Sequence, residues 1–148
     1  MKFKNILFPT DFSESALHVL PYAVEMARGE GARLHLLHVI YDMASASGLY
    51  IPHASVDVMY KDLEANAMKE LERFGLSERE DLKNVDCTVL RGVPYEEILK
   101  FTKEKGIDLI VIGTHGRKGL DRVLFGSTAE RVVRNAECPV LTVRSPEK

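Results

Sequence analysis

The segment from Gly113 to Thr128, GTHGRKGLDRVLFGST, has the residue types that a backbone-based phosphate site requires. Gly113 and Gly116 have no Cβ, so the chain can turn tightly there and present amide groups to an anion. Gly126 lets the chain approach closely just before Ser127 and Thr128, whose hydroxyls and amides would lie at the positive end of a helix dipole. The segment therefore predicts a phosphate site.

A plain surface loop is the alternative interpretation of the same segment. In that case Gly113 only ends a strand, and Ser127 serves only a capping box with Glu130. Cationic side chains nearby suit a phosphate, but a solvated loop also carries them. From the chemistry alone both interpretations stay open. The cations are His115, Arg117, Lys118 and Arg122.

A second polar group follows the first apolar run of the chain. Pro9, Thr10 and Asp11 bring a hydroxyl and a carboxylate to the carboxyl end of a predicted strand. Such groups suit a sugar or the edge of a base. The alternative is that Asp11 or Ser13 caps the first helix, and the residues alone favour the cap.

The elements that must position these groups alternate between apolar runs of strand length and segments of helical period. Strands are predicted at residues 5–9, 33–40, 85–91, 109–112 and 140–143. Helices are predicted from about residue 13 to 28, along Met59, Leu63, Ala67 and Leu71, around residues 95–102, and from residue 127. This α/β alternation predicts an open parallel sheet with helices on both faces. In such a sheet, ligands bind beyond the carboxyl ends of the strands.

Composition and charge exclude several classes of protein. The chain has 148 residues, of which 45% are hydrophobic and 28% charged, so residues 1–148 suit a single globular domain. A net charge of -2 gives no global field for a polyanion, and we expect no nucleic-acid partner. No apolar run approaches the roughly 18 residues of a membrane span, and no signal-peptide pattern is present. We therefore expect a cytoplasmic protein without a membrane partner.

Two familiar phosphate loops are absent from the sequence. It has no G-x-x-x-x-G-K-[S/T], and the first strand-helix turn has no G-x-G-x-x-G. The spacing Gly113-x2-Gly116-x9-Gly126-Ser127, the start NILFPTDFSESA and the ending AECPVLTVR resemble the universal stress protein family over essentially the whole chain. The glycine spacing is similar to that of the branch of the family that binds ATP.

The resemblance implies a fold and a site. The fold is a five-stranded parallel sheet in the order 3-2-1-4-5, with ATP in the crevice between the first and fourth strands. Asp11 would contact the ribose, and Val39 would contact the adenine, although Val39 alone suits an ordinary core position. The implied site comprises Pro9, Thr10, Asp11 and Val39 at the adenosine, Ile112, Gly113, His115, Gly116 and Arg117 at the ribose and phosphates, and Gly126, Ser127 and Thr128 at the phosphate chain.

The resemblance also implies a metal ion and a second copy of the chain. Mg²⁺ or Mn²⁺ would be held mainly by the phosphates, because the glycine-rich loop offers no carboxylate cluster and so no metal site of the protein's own. The run Val140 to Val143, VLTV, has no internal proline or charge, which leaves an unprotected strand edge. We expect a homodimer formed there.

Three functions stay open from the sequence. In the first, ATP orders a candidate lid, residues 41–55, and the loop at residues 113–126, and partners in stress response or signalling recognise the result. The second is slow ATP hydrolysis or phosphate transfer with Asp11, His115 or Asp121 as base, and the third is a nucleotide-free scaffold dimer. No orienting partner is recognisable beside any of the three bases. We therefore expect a binding module and no dedicated enzyme.

The cysteines and two of the histidines are expected to be structural. Cys87 and Cys138 are expected to be buried, reduced thiols, and the implied strand order places them too far apart for a disulfide. His35 and His38 are three residues apart on a strand and so lie on opposite faces, which prevents a shared metal site.

Overall fold

The computed structural model describes residues 1–42, 53–115 and 126–145. All the predicted strands and helices are present. In chain order they are β1 Asn5–Pro9, α1 Glu14–Glu30, β2 Arg33–Tyr41, α2 His53–Arg73, β3 Val85–Gly92, α3 Pro94–Glu104, β4 Leu109–Gly113, α4 Ser127–Asn135 and β5 Val140–Val143. Of the candidate lid, residues 43–52 lie outside the described residues, whereas Tyr41 is the last residue of β2 and residues 53–55 belong to α2.

The strands form one parallel sheet in the order β3-β2-β1-β4-β5, which confirms the order that the resemblance implied. From β1 the chain moves outward through β2 to β3, then crosses to β4 and moves outward to β5. Because parallel crossovers are right-handed, this reversal puts α1 and α2 on one face and α3 and α4 on the other. The strand order reverses between β1 and β4.

The central strands are buried on both faces. In β1, Ile6 and Phe8 pack into the apolar cluster beneath α1 and α2. Leu7, between them, packs into the cluster beneath α3 and α4. Successive side chains of a strand alternate between faces, so a strand covered on both sides must be apolar throughout.

The start and end of α1 follow from local chemistry. Ser13 is the N-cap, and its Oγ accepts a hydrogen bond from the amide of Ala16 at 3.1 Å. Gly31 ends the helix with φ 64°, a left-handed conformation that glycine adopts easily. Pro21 lies inside the helix. Of the helices that the structure describes, none has the length and apolarity to span a bilayer.

The buried face of α2 differs from the row of apolar residues that predicted the helix. Ala67 and Leu71 are buried, but Met59 and Leu63 are 51% and 44% exposed, and Tyr60 is buried in place of Met59. A helix has 3.6 residues per turn, so each step of four residues rotates about 40° further around its axis. A row of residues spaced by four therefore turns away from the helix face that packs on the sheet within a few steps.

Cys87 in β3 and Cys138 just before β5 are free thiols near opposite edges of the sheet. Both are half-buried rather than fully buried. Burial raises the pKa of each thiol, so both favour the protonated, less reactive form.

Candidate functional site

A crevice opens between β1 and β4 at their carboxyl ends. The last register pair between the two strands is Leu7 with Ile110. Beyond it, β1 continues beside β2 as far as Pro9, whereas β4 continues beside β5 as far as Gly113. The two strands therefore diverge at the point where the strand order reverses, which is where open α/β sheets bind ligands.

The loop after β1 forms one side of the crevice. Thr10 is buried, and its amide extends the β1-β2 ladder by donating to the carbonyl oxygen of Leu37 at 2.8 Å. Its Oγ1 accepts from the amide of Phe12 at 3.0 Å, and Oδ1 of Asp11 accepts from the amide of Ser13 at 3.0 Å. These short-range bonds contribute to the shape of the loop. Since Ser13 is the helix cap, the cap interpretation is confirmed for Ser13, and Asp11 stands one turn before the helix.

The end of β4 and the start of α4 form the other side. The amide of Thr114 donates to the carbonyl oxygen of Val143 in β5 at 3.1 Å. The carbonyl oxygen of Thr114 accepts in turn from the amide of Gly126 at 2.5 Å. These two bonds bring the predicted residues Gly113 and His115 beside the predicted residues at 126–128, although the segment that joins them lies outside the described part of the chain.

The first turn of α4 differs from the predicted capping box. Gly126 is the N-cap, with φ -68° and ψ 163° and no side-chain hydrogen bond, and Ser127 is the first helical residue. The capping box of Ser127 with Glu130 was therefore a wrong prediction. Because the cap has no side chain, the amides of residues 127–129 receive no acceptor from it, and the first bond within the helix joins Glu130 to Gly126. These amides carry the positive end of the helix dipole.

Packing explains the glycine at position 113. A Cβ added to Gly113 would lie 3.1 Å from Cγ2 of Val19, which is fully buried in α1. The close approach here is between β4 and α1.

An apolar wall lies on the α3 and α4 face of the crevice. Ile112 is buried in the cluster beneath these helices, and Val39 is half-buried and packs against the same cluster. The two residues come from strands on either side of β1. Such a wall can cover one face of a flat, apolar group such as a base.

The remaining predicted residues divide into two groups. His115 is described and partly exposed, and its Nδ1 lies 3.0 Å from Oγ1 of Thr114. Gly116 and Arg117 lie outside the described residues, as do Lys118, Asp121 and Arg122. Within residues 1–42, 53–115 and 126–145, no group of three or more histidine, cysteine or acidic side chains could hold a metal ion.

Sequence reasoning missed a polar cluster at the carboxyl ends of β2 and β3. The hydroxyl of Tyr60 donates to Oδ1 of Asp42 at 3.4 Å, and Nε of Arg91 lies 3.5 Å from Oδ2 of Asp42. The guanidinium of Arg91 lies 4.6 Å from the centre of the Tyr60 ring. Burial, with the nearby Asp42 carboxylate, raises the pKa of Tyr60. A signal was available in the sequence: Asp42 and Arg91 carry opposite charges and lie at the ends of β2 and β3, which the implied strand order makes neighbours.

Sequence reasoning also treated His38 as an ordinary histidine. Its Nδ1 lies 2.8 Å from the carbonyl oxygen of Thr10, in the loop that forms one side of the crevice. This contact joins β2 to the loop after β1, and no local pattern in the sequence indicates it.

Comparison with known proteins agrees with this fold. The profile of the universal stress protein family matches residues 2–144. The chain is 36% identical to universal stress protein MJ0531 of Methanocaldococcus jannaschii over 146 residues, which cover 99% of this chain and 85% of that protein. The solved structure of MJ0577 from the same archaeon matches with a TM-score of 0.87 at 31% identity, covering 100% of both chains. UspA from Lactobacillus plantarum matches with a TM-score of 0.77 at 30% identity, covering 97% of this chain and 99% of UspA.

Two solved structures with this fold hold an adenine nucleotide. One is a universal stress protein in complex with cAMP, with a TM-score of 0.67 at 20% identity, covering 99% of this chain and 100% of that one. The other is the Archaeoglobus fulgidus protein in complex with dAMP, with a TM-score of 0.59 at 23% identity, covering 96% and 98%. At these identities the likeness shows the fold alone. The family profile and the closer relatives span nearly the whole chain, and the chain therefore belongs to the universal stress protein family.

Proposed function

We propose that this chain binds an adenine nucleotide, with ATP as the expected ligand, in the crevice between β1 and β4. In this proposal it acts in the cytoplasm as a nucleotide-dependent module in stress response or signalling. The observation that carries the proposal is the hydrogen bond from Gly126 to Thr114, which holds the start of α4 at the open end of β4. Family members that hold cAMP and dAMP support the same class of ligand.

The crevice matches the three parts of a nucleotide. The apolar wall of Val39 and Ile112 suits the adenine, and the carboxylate of Asp11 suits the hydroxyls of the ribose, which donate hydrogen bonds. The amides of Ser127 and Thr128 suit the phosphates, because a helix N-terminus favours an anion. The remaining proposed contacts are those of Pro9, Thr10, Gly113, His115, Gly116, Arg117 and Gly126.

A divalent cation would reach this site with the nucleotide. Asp11 is a single carboxylate in the loop after β1, and the described residues offer no cluster of ligands. Mg²⁺ is usually held by phosphates, water and only one or two carboxylates. We therefore propose that Mg²⁺ or Mn²⁺ is bound mainly by the phosphates.

One observation favours ATP hydrolysis as a second candidate function. The sequence offered no orienting partner for His115, whereas Oγ1 of Thr114 lies 3.0 Å from its Nδ1. An oriented imidazole can serve as a general base for water. ATP turnover that is lost in His115→Ala while ATP binding persists would support this candidate. If the wild-type protein does not turn over ATP, this candidate is rejected and the nucleotide-binding module remains as the proposed function.

A homodimer through β5 is part of the proposal. β5 is an edge strand, and the carbonyl oxygens of Pro139 and Val143 accept hydrogen bonds from Ile110 in β4 and from Thr114 just after it. Because backbone groups alternate along a strand, the amide of Thr142 points to the free edge. Thr142→Pro should therefore remove a donor at the dimer edge without breaking the β4 ladder. Analytical ultracentrifugation should show a wild-type dimer and a folded, monomeric variant.

The nucleotide itself can be identified directly. Mass spectrometry of small molecules released from freshly purified protein should find ATP, ADP or AMP. Added ATP at 100 times its dissociation constant should raise the free energy of unfolding by about 2.7 kcal/mol. Two matched controls separate the parts of the ligand: GTP tests the preference for adenine, and inorganic triphosphate tests binding of the phosphates without a nucleoside. A protein that releases no nucleotide and is not stabilised by ATP would contradict the proposal and favour a scaffold.

A further inference from the structure

We propose that His38 is a positioning residue that holds the loop at residues 10–13 in the shape that receives the nucleotide. This inference rests on the proposed function, since it assigns a role at the same crevice. His38 lies in β2 and contacts the loop that follows β1. It joins β2 to this loop beside the backbone bond from the amide of Thr10 to the carbonyl oxygen of Leu37.

The contact between His38 and Thr10 fixes the proton on the imidazole. Nδ1 of His38 lies 2.8 Å from the carbonyl oxygen of Thr10. A carbonyl oxygen can only accept, so Nδ1 must donate. The neutral ring of His38 therefore carries its proton on Nδ1, which leaves Nε2 without one.

The ring of His38 also supports an unusual backbone conformation. Phe12 has φ 65°, and it is the only residue other than glycine with a positive φ in residues 1–42, 53–115 and 126–145. This conformation is strained for a bulky side chain and persists only when its surroundings hold it. The Phe12 ring stacks on the His38 ring with centroids 4.2 Å apart and planes 28° apart. Phe74, which directly follows α2, packs edge to face against the Phe12 ring with the ring centroids 5.9 Å apart.

Asp11 lies between the two residues that His38 contacts. His38 holds the carbonyl group of Thr10 on one side of Asp11 and the ring of Phe12 on the other. The position of the Asp11 carboxylate therefore depends on His38, although His38 is not proposed to contact the ligand. Loss of the hydrogen-bond donor at Nδ1 of His38 should release this loop and weaken nucleotide binding.

His35 offers a matched control on the same strand. It lies three residues earlier and on the opposite face, where its Nε2 is 3.1 Å from Oδ1 of Asn5 and its ring meets the edge of Phe101 at 5.8 Å. A change at His35 removes a buried imidazole and its hydrogen bond without touching the loop at the crevice.

The affinity test compares His38→Leu, His38→Asn and His35→Leu by isothermal titration with ATP, with circular dichroism as the check on folding. The Asn amide nitrogen can take the place of Nδ1, whereas Leu has no donor. We expect His38→Leu to weaken binding about tenfold and the other two variants to stay within about threefold of wild type. Wild-type affinity in a folded His38→Leu protein would overturn the inference. If His38→Leu does not fold, His38→Gln replaces it in the test. The Gln amide reaches the place of Nε2 and not of Nδ1, so this variant should weaken ATP binding to the same extent.

A second readout does not depend on the nucleotide. Nitrogen-15 NMR of the ligand-free protein should show neutral His38 with its proton on Nδ1. The strong nuclear Overhauser effect between the amide and Hα protons of Phe12, which a positive φ produces, should persist in His38→Asn and vanish in His38→Leu. A proton on Nε2 instead, or an unchanged Phe12 signal in His38→Leu, would overturn the inference. A wild-type protein that binds no nucleotide overturns the proposed function, while these two signals still decide whether His38 restrains the loop.

Discussion

The amide of Gly126 donates a hydrogen bond to the carbonyl oxygen of Thr114 at 2.5 Å, and this bond ties the cap of α4 to the end of β4. Thr114 is itself bonded to β5 and buried. The first turn of α4 is therefore attached to the sheet, and its amides keep a fixed position relative to the crevice. A phosphate bound there would meet donors that are already ordered, which lowers the entropic cost of binding.

Asp11→Asn should weaken ATP binding about tenfold while it leaves the free energy of unfolding within about 0.5 kcal/mol of wild type. The Asn side chain keeps an oxygen that can accept from the amide of Ser13, but it lacks the charge that strengthens hydrogen bonds from the ribose hydroxyls. Isothermal titration and urea denaturation measure the two effects. Asp11→Ala is the matched control, because it loses both bonds and should also cost about 1 kcal/mol of stability. Unchanged affinity in Asp11→Asn would argue against a ribose contact.

His35 should make the protein less stable as the solution becomes acidic. Burial lowers the pKa of His35 below its ordinary value of 6.5, so the folded protein resists a proton that the unfolded chain accepts. Its contribution to stability is complete above pH 6.5 and is lost as the pH falls below 6.5 towards the folded pKa. His35→Gln keeps a nitrogen near Asn5 but cannot be protonated, so its free energy of unfolding should fall less between about pH 6.5 and pH 5. Identical pH profiles for the two proteins would contradict this reasoning.

Gly75→Ala should destabilise the fold by about 2 kcal/mol or more. Gly75 has φ 57°, and an added Cβ would lie 1.9 Å from Cδ2 of the fully buried Leu20. The backbone strain and the clash act in the same direction. Gly29→Ala is the matched control, because it lies inside α1 with nothing within 4 Å of the added Cβ and should stabilise by about 0.5–1 kcal/mol. Urea denaturation of both variants measures the two changes in the free energy of unfolding. Equal changes would contradict the clash between a Cβ at position 75 and Leu20.

The strands and helices of the parallel sheet could be predicted from the apolar pattern, whereas the strand order and the crevice between β1 and β4 were implied by the family resemblance. Leu109, Ile110, Val111 and Ile112 form an unbroken apolar run, and such a run fits a strand buried on both faces. In an open parallel sheet, ligands bind beyond the carboxyl ends of the strands, so the binding residues were expected directly after them. That Asp11 and Gly126 lie on the two sides of one opening could be expected from the strand order that the resemblance implied.

The finer features depend on contacts between distant residues. Ser127 and Glu130 match a capping box, yet Gly126 is the cap, and its carbonyl oxygen accepts the first bond of the helix from the amide of Glu130. The contact between His38 and Thr10 joins β2 to the loop after β1, which no local pattern encodes. Periodicity located α2, but the rotation of the helix decided that Met59 faces the solvent.

The most direct test of the phosphate site is the affinity of Gly126→Val for ATP and for adenosine. The φ and ψ of Gly126, -68° and 163°, are open to any residue, so the variant should fold, which circular dichroism can confirm. Its Cβ and branched methyl groups should block the approach of phosphates to the amides at the start of α4. Isothermal titration should show ATP binding weakened at least about tenfold, with adenosine, which has no phosphate, bound as in the wild-type protein. A folded Gly126→Val protein with wild-type affinity for ATP would contradict the account.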